Sequence, residues 1–289
     1  MTVKSRIEKA IRNAVDPVTG STAPPKIAEA VRHAVFPGGA RIRPRLCLAV
    51  AHACGDDQPD VTDGAMAALE LLHCASLVHD DMPCFDNSNL RRGAPSVHAA
   101  FGEPLALLTG DALIVLAFQT IAKTAMAAPQ RMGHLITIVG NAVGMPNGIV
   151  AGQAWECEPA ADLVEYHRAK TGALFVGSSM AGAVATGADP EPWRALGDHL
   201  GSAYQAADDL RDAFSTEEEI GKPVGQDFAN ARPNLVSEVG VGEAVSRLEA
   251  MIEAAVDSIP ACAGAAQLRE LIVNDSARLV PRNLSRSAA

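Results

Sequence analysis

Two aspartate clusters carry the most distinctive chemistry in this sequence: Asp80 and Asp81 with Asp86, and Asp208 and Asp209 with Asp212. Asp208 and Asp212 are four apart, so on a helix they project from one face, with Asp209 alongside. Carboxylates that close repel and raise one another's pKa unless a cation neutralises them. Asp80 and Asp81 add a second anomaly, because they close the apolar run 67–79 and a helix C-terminus disfavours negative charge. Such placement weakens a fold and points to a ligand. All-oxygen donors suit a hard cation, Mg²⁺ before Zn²⁺, with Mn²⁺ as a substitute. Mg²⁺ held by a few carboxylates completes its shell with water and phosphate oxygens.

Basic residues surround both clusters. Arg41, Arg43 and Arg45 follow a Gly38-Gly39 turn, where backbone N–H groups and guanidinium forks make either an anion site or a solvated helix start. Arg91 and Arg92 sit a short loop beyond Asp86, set off from helical structure by Gly93 and Pro95. They either pair with the aspartates or complete a metal and pyrophosphate pocket. Lys170-Thr171-Gly172 interrupts an apolar helix, which implies a kink aiming Lys170 inward or a close helix contact at Gly172. The polar stretch 215–233, with Lys222 and Arg232, reads as a lid.

The elements that must position these groups are helices. Alanine is abundant, aromatics are 4% and alternating β-branched runs are rare, so an all-α chain of ten to twelve helices is expected. They are read at 5–15, 25–35, 41–55, 61–79, 103–127, 132–143, 147–154, 162–186, 192–213, 242–258 and 265–279, with a frayed tail at 281–289. Helix 103–127 is so apolar that the middle of a bundle is its expected place. At 289 residues and 48% hydrophobic content, a single domain spanning 1–289 is expected, its N-terminal helix within 1–15. A formal charge of −10 argues against nucleic acid as partner. No run of eighteen uncharged apolar residues suggests membrane insertion, and residues 1–15 lack the apolar core of a signal peptide. Six cysteines without metal or paired spacing read as buried thiols of a cytoplasmic protein.

Taken in order, the two clusters, the Arg91-Arg92-Gly93 loop, Lys170-Thr171-Gly172 and Gly221-Lys222-Pro223 resemble the trans-isoprenyl diphosphate synthases, from Pro37 to about Gly240. Within that family the sequence is most similar to short-chain geranylgeranyl diphosphate synthases of purple bacteria. The resemblance implies a helical bundle around a deep cavity with the clusters on opposite walls, and a homodimer. Asp80, Asp81, Asp86, Asp208, Asp209 and Asp212 would then bind Mg²⁺ ions bridging to an allylic diphosphate. Arg91, Lys170 and Lys222 would contact that diphosphate, with Thr171 and Gln205 facing the site. Isopentenyl diphosphate would be gripped by Arg43, His73 and Arg92, with Arg41 or Arg45 standing in for a lysine that many members carry where this chain has Ala40. Ala94 and Arg232 mark two further departures from the family pattern. Ala75, five residues before the first aspartate, and Ser76 beside it would set product length near twenty carbons, ahead of the fifteen of a farnesyl diphosphate synthase. A non-catalytic synthase subunit and a terpene cyclase are the competing readings. The clustered carboxylates predict that EDTA abolishes turnover and that added Mg²⁺ restores it; full activity in chelator would exclude a metal site.

Overall fold

The computed structural model describes residues 1–159, 163–214 and 235–276. It is a helical bundle: α1 (Val3–Val18), α2 (Pro25–Val35), α3 (Ile42–Cys54), α4 (Pro59–Asp80), α5 (Val97–Phe101), α6 (Glu103–Thr124), α7 (Pro129–Val143), α8 (Ile149–Trp155), α9 (Leu163–His167), α10 (Ala173–Ala185), α11 (Arg194–Phe214), α12 (Leu235–Val239), α13 (Val241–Asp257) and α14 (Ala265–Ser276). The expected lid at 215–233, with Lys222 and Arg232, and the tail at 281–289 lie outside the described residues. The helix expected over 162–186 is divided: a π-helical turn at Arg168–Gly172 joins α9 to α10.

The central helix is α4. Pro at its first turn starts it without wasting a donor. Its side chains from Val61 to Val78 are buried nearly all round, against α1, α3, α6 and α10. One stripe departs from this pattern. His73, Ser76, Leu77 and Asp80, spaced i, i+3, i+4 and i+7, are only partly buried and share a face. That stripe lines a cavity.

Two expectations are corrected. Helix α6 is not the middle of the bundle: Leu107, Leu108 and Val115 are 49, 50 and 56% exposed. Its apolarity serves a surface. Both Pro59–Asp80 and Glu103–Ala127 have the length and apolarity to cross a membrane, yet 78% of the first segment's apolar window is buried inside the protein, against 44% of the second's. The cysteines are also not uniformly buried. Cys47 and Cys74 are, whereas Cys84 and Cys157 are exposed, because they fall on loops at the ends of α4 and α8.

Among the described residues the strands are one small hairpin, Leu90–Arg91 (β1) against Ala94–Pro95 (β2). Arg92 and Gly93 form its two-residue turn with φ of +55° and +76°, the left-handed pair that matches strand twist. This turn, and not a helix end, presents the paired arginines.

Candidate active site

A cavity of about 490 Å³ opens at the C-terminal end of α4. Its walls are the α4 stripe, the loop after Asp81, Ile149 and Gln153 of α8, Tyr166 to Thr171 around the π turn, and Gln205, Asp208 and Asp212 of α11. The aspartate clusters thus face each other across it. Pro83 ends α4, but the loop folds straight back: Asp86 N–H donates to the Asp80 carbonyl at 3.0 Å and Ser88 N–H to that of Asp81 at 3.1 Å. Asp86 returns beside Asp80.

The third member of that group is Glu156. Asp80, Asp86 and Glu156 each offer an oxygen within 4.8 Å of the others. Three hard donors so close fit Mg²⁺, with room in its shell for water and phosphate oxygens. Lys170 holds the charges together meanwhile: its Nζ lies 3.2 Å from Asp80 and 2.6 Å from Glu156. Tyr166 donates its hydroxyl to Glu156 at 2.6 Å, and Gln153 donates an amide at 2.8 Å. Burial pushes the Asp80 carboxyl up; Lys170 draws it back, and Asp86 and Glu156 push again, leaving it raised. Burial works against the Lys170 ammonium, but Asp80, Tyr166 and Glu156 outweigh it and raise its pKa.

Local sequence explains how the lysine arrives there. A side chain on Gly152 would begin 2.4 Å from the Lys170 backbone nitrogen, so only glycine lets α8 lie against the π turn. The π turn widens the helix by one residue per turn and swings Lys170 inward. Thr171 donates to Gln205 at 2.8 Å, Gln205 to Asp209 at 2.9 Å, and Leu235 N–H also reaches Asp209 at 2.9 Å.

A second basic corner lies deeper. Arg43 Nη1 is 3.4 Å from His73 Nε2, and its guanidinium sits over Phe175, 5.2 Å from the ring centre. Burial pulls the His73 pKa well below its usual value, and Arg43, Arg92 and Arg91 add to the effect. His73 is therefore neutral at pH 7.

The polyprenyl synthetase profile matches residues 24–279. The chain belongs to the polyprenyl synthetase family. It is 52% identical over 285 residues to a geranylgeranyl diphosphate synthase of Cereibacter sphaeroides, covering 99% of each chain. It is 50% identical over 272 residues to a geranylgeranyl diphosphate synthase of Rhodobacter capsulatus, covering 94% of each. A solved geranyltransferase from Helicobacter pylori, complexed with magnesium and isoprenyl diphosphate, matches with a TM-score of 0.79 at 27% identity, over 95% of this chain and 97% of that one.

In this polyprenyl synthetase the residues expected at the site divide. Asp80, Asp86, Asp208, Asp212, Arg43, His73, Ser76, Arg91, Lys170, Thr171 and Gln205 line the cavity. Asp81 and Asp209 stand behind the wall, 2% and 3% exposed. Asp81 accepts Arg91 Nε through both oxygens, at 3.0 and 3.1 Å, and its Nη2 as well. Arg92 lies outside the cavity, with Nη1 donating to the Gly38 carbonyl. A side chain on Gly39 would begin 2.8 Å from the Arg92 guanidinium carbon, so the Gly38-Gly39 turn seats an arginine. Arg41 turns into the protein onto Glu8 and Glu70, and Arg45 pairs with Asp275. Ala75 is 2% exposed among core residues because it points from α4 away from the stripe that carries Ser76.

Glu156, Tyr166 and Gln153 were missed in the sequence. One signal was present: Glu156 caps the C-terminus of α8, the same unfavourable placement for a carboxylate that singled out Asp80. A carboxyl whose pKa is raised on folding stabilises the fold only below its unfolded pKa, and that stability is lost as pH rises through the folded value. Asp80→Asn is thus expected to melt no lower than the parent at pH 7 in EDTA, the difference closing as pH falls through the ordinary carboxylate range, while kcat drops by orders of magnitude. A clearly lower melting temperature at pH 7 would show that the pair with Lys170 outweighs burial.

Proposed function

We propose that this polyprenyl synthetase condenses isopentenyl diphosphate with an allylic diphosphate (dimethylallyl, geranyl or farnesyl), making geranylgeranyl diphosphate. The observation that carries this reading is the cavity: two facing aspartate clusters and Lys170 at its mouth, an apolar wall of Leu77 and Ile149 below. The names and near-complete coverage of the two purple-bacterial relatives support the product. They also favour a synthase over a cyclase or a non-catalytic subunit.

Asp80, Asp86 and Glu156 on one wall and Asp208 and Asp212 on the other would hold Mg²⁺. When bound, it acts as a Lewis acid on the diphosphate oxygens and makes diphosphate a better leaving group. Lys170 Nζ, already between Asp80 and Glu156, meets the same diphosphate and stabilises the charge that grows on it. The allylic C–O bond then breaks, and the apolar wall keeps water from the cation. Arg43 and neutral His73 orient isopentenyl diphosphate, whose double bond forms the new C–C bond. The proton that leaves goes to the released diphosphate. His73 serves as a hydrogen-bond partner beside Arg43.

Below Asp80 the cavity stripe descends through Leu77, Ser76 and His73, and the next residue on that face is the fully buried Leu69. Eleven residues of helix span about 16 Å, three turns of ~5.4 Å, each near the length of one isoprene unit. A fifteen-carbon chain fits above Leu69, and its twenty-carbon product does not fit again. Incubation with Mg²⁺, isopentenyl diphosphate and each allylic primer is expected to give twenty carbons as the main product. Ser76→Phe should shorten it to fifteen with turnover retained. Ala75→Phe, packed in the core, should leave product length alone and cost about 1–3 kcal/mol of stability by overpacking. A shift in length from position 75 and none from 76 would reverse the assignment.

We also infer a homodimer. The exposed apolar face of α6 is continuous with an apolar groove lined by Ile27 and Val31 of α2 and by Leu108, Val115 and Leu116 of α6. A second copy covers such a face with like residues. Light scattering should give the mass of two chains, and Val115→Glu should give one.

A further inference from the structure

Arg41 is held in an arrangement that its neighbours enforce. Its backbone is left-handed, with φ of +49°, a conformation that a side chain this size keeps only when its surroundings over-determine it. Three elements supply them. Arg41 Nε donates to Glu8 of α1 at 2.9 Å, Nη1 to Glu70 of α4 at 2.6 Å, and Nη2 to the Val35 carbonyl at the end of α2 at 2.8 Å. The side chains of Arg41 and Glu70 are 4% and 2% exposed, and that of Glu8 is 29% exposed. All three arms of the guanidinium fork are used, and none is left for a substrate.

What the fork fixes is the relation between two residues that do reach the cavity. Glu70 lies three residues before His73 on α4, and Arg41 two residues before Arg43 at the start of α3. Arg43 Nε is buried with no hydrogen-bond partner among the described residues, so Arg43 retains donor capacity. Its guanidinium rests on Phe175, with His73 Nε2 at 3.4 Å. Beyond these contacts, the position of the α3 start sets where Arg43 lies.

We propose that Arg41, clamped by Glu8, Glu70 and the Val35 carbonyl, is a positioning residue for the isopentenyl diphosphate subsite, setting Arg43 against His73 without touching substrate. This rests on the prenyl-transfer reading above. The clamp is selective: the allylic side is tied together by Lys170 with Asp80 and Glu156, through α8 and the π turn, whereas among the described residues the hydrogen bonds of Arg41 go to Glu8, Glu70 and Val35. Lysine at position 41 keeps the charge and loses the planar fork, so it cannot serve three acceptors in three directions.

The test uses the full chain and three readouts: KM for each substrate, isothermal titration with isopentenyl diphosphate, and melting temperature. Arg41→Lys is expected to raise both the KM and the Kd for isopentenyl diphosphate about tenfold and leave the allylic KM within about twofold. Glu8→Gln, which removes the most exposed partner and preserves the fold, should move the same two constants about threefold with little change in melting temperature. If Arg41→Lys fails to fold, Glu8→Gln decides. Equal rises in both KM values, or a fall in melting temperature with the isopentenyl constants unchanged, would reduce Arg41 to a strut and overturn the proposal. Failure of the parent to form product with any primer, while it still binds isopentenyl diphosphate and the variants bind it more weakly, would remove the prenyl-transfer reading and leave the clamp standing. A parent that does not bind isopentenyl diphosphate would remove both.

Discussion

Three carboxylates converge at the mouth of the cavity, and the fold tolerates them because one ammonium sits among them. Asp80, Asp86 and Glu156 would repel strongly in a partly buried site. Lys170 bridges Asp80 and Glu156, and Tyr166 and Gln153 donate further hydrogen bonds to Glu156. Much of the local architecture follows from bringing that ammonium there: a π turn where an α-helix would run straight, a glycine on α8 that admits its backbone, and a loop that doubles back to return Asp86. The site is thus preorganised for a dication and a polyanion, with the lysine in place for the anion.

The same economy governs which charges face the cavity. Asp81 and Asp209 are buried and consumed by protein partners, Arg91 for one and Gln205 with the Leu235 amide for the other. They orient the groups beside them, as second carboxylates around metal sites commonly do. Arg41 repeats the pattern on the basic side. A buried ion pair adds little net stability once desolvation is counted, but breaking one is costly, and such pairs can fix a register. Here the register fixed is that of α3 against α4.

Helix α4 reconciles two demands. It is the core helix, apolar on nearly every side, and it also carries the cavity wall. A 3.6-residue period lets one stripe, His73, Ser76, Leu77 and Asp80, leave the core while Ala75, between Ser76 and Cys74 in sequence, stays within it. Chain length is read along that stripe, and a shift of one residue in sequence turns a side chain by about 100°, enough to move it from the cavity wall into the core.

The helical class, the two aspartate clusters and the inward aim of Lys170 were legible in the amino-acid sequence, because they depend on residue type, short spacing and helical period. A carboxylate at a helix C-terminus is anomalous wherever it stands, and that flagged Asp80. Other features were settled only by tertiary structure. Arg41, Arg43 and Arg45 look alike in sequence, yet one is buried in a clamp, one faces the cavity and one pairs with Asp275. Glu156 joins Asp80 only because Gly152 lets α8 approach the π turn. Helix α6 and helix α4 are similarly apolar, and which of them lies at the centre depends on what packs around each. Sequence determines what a residue can do within a turn or two of itself; which partner it meets is decided by contacts between segments far apart in the chain.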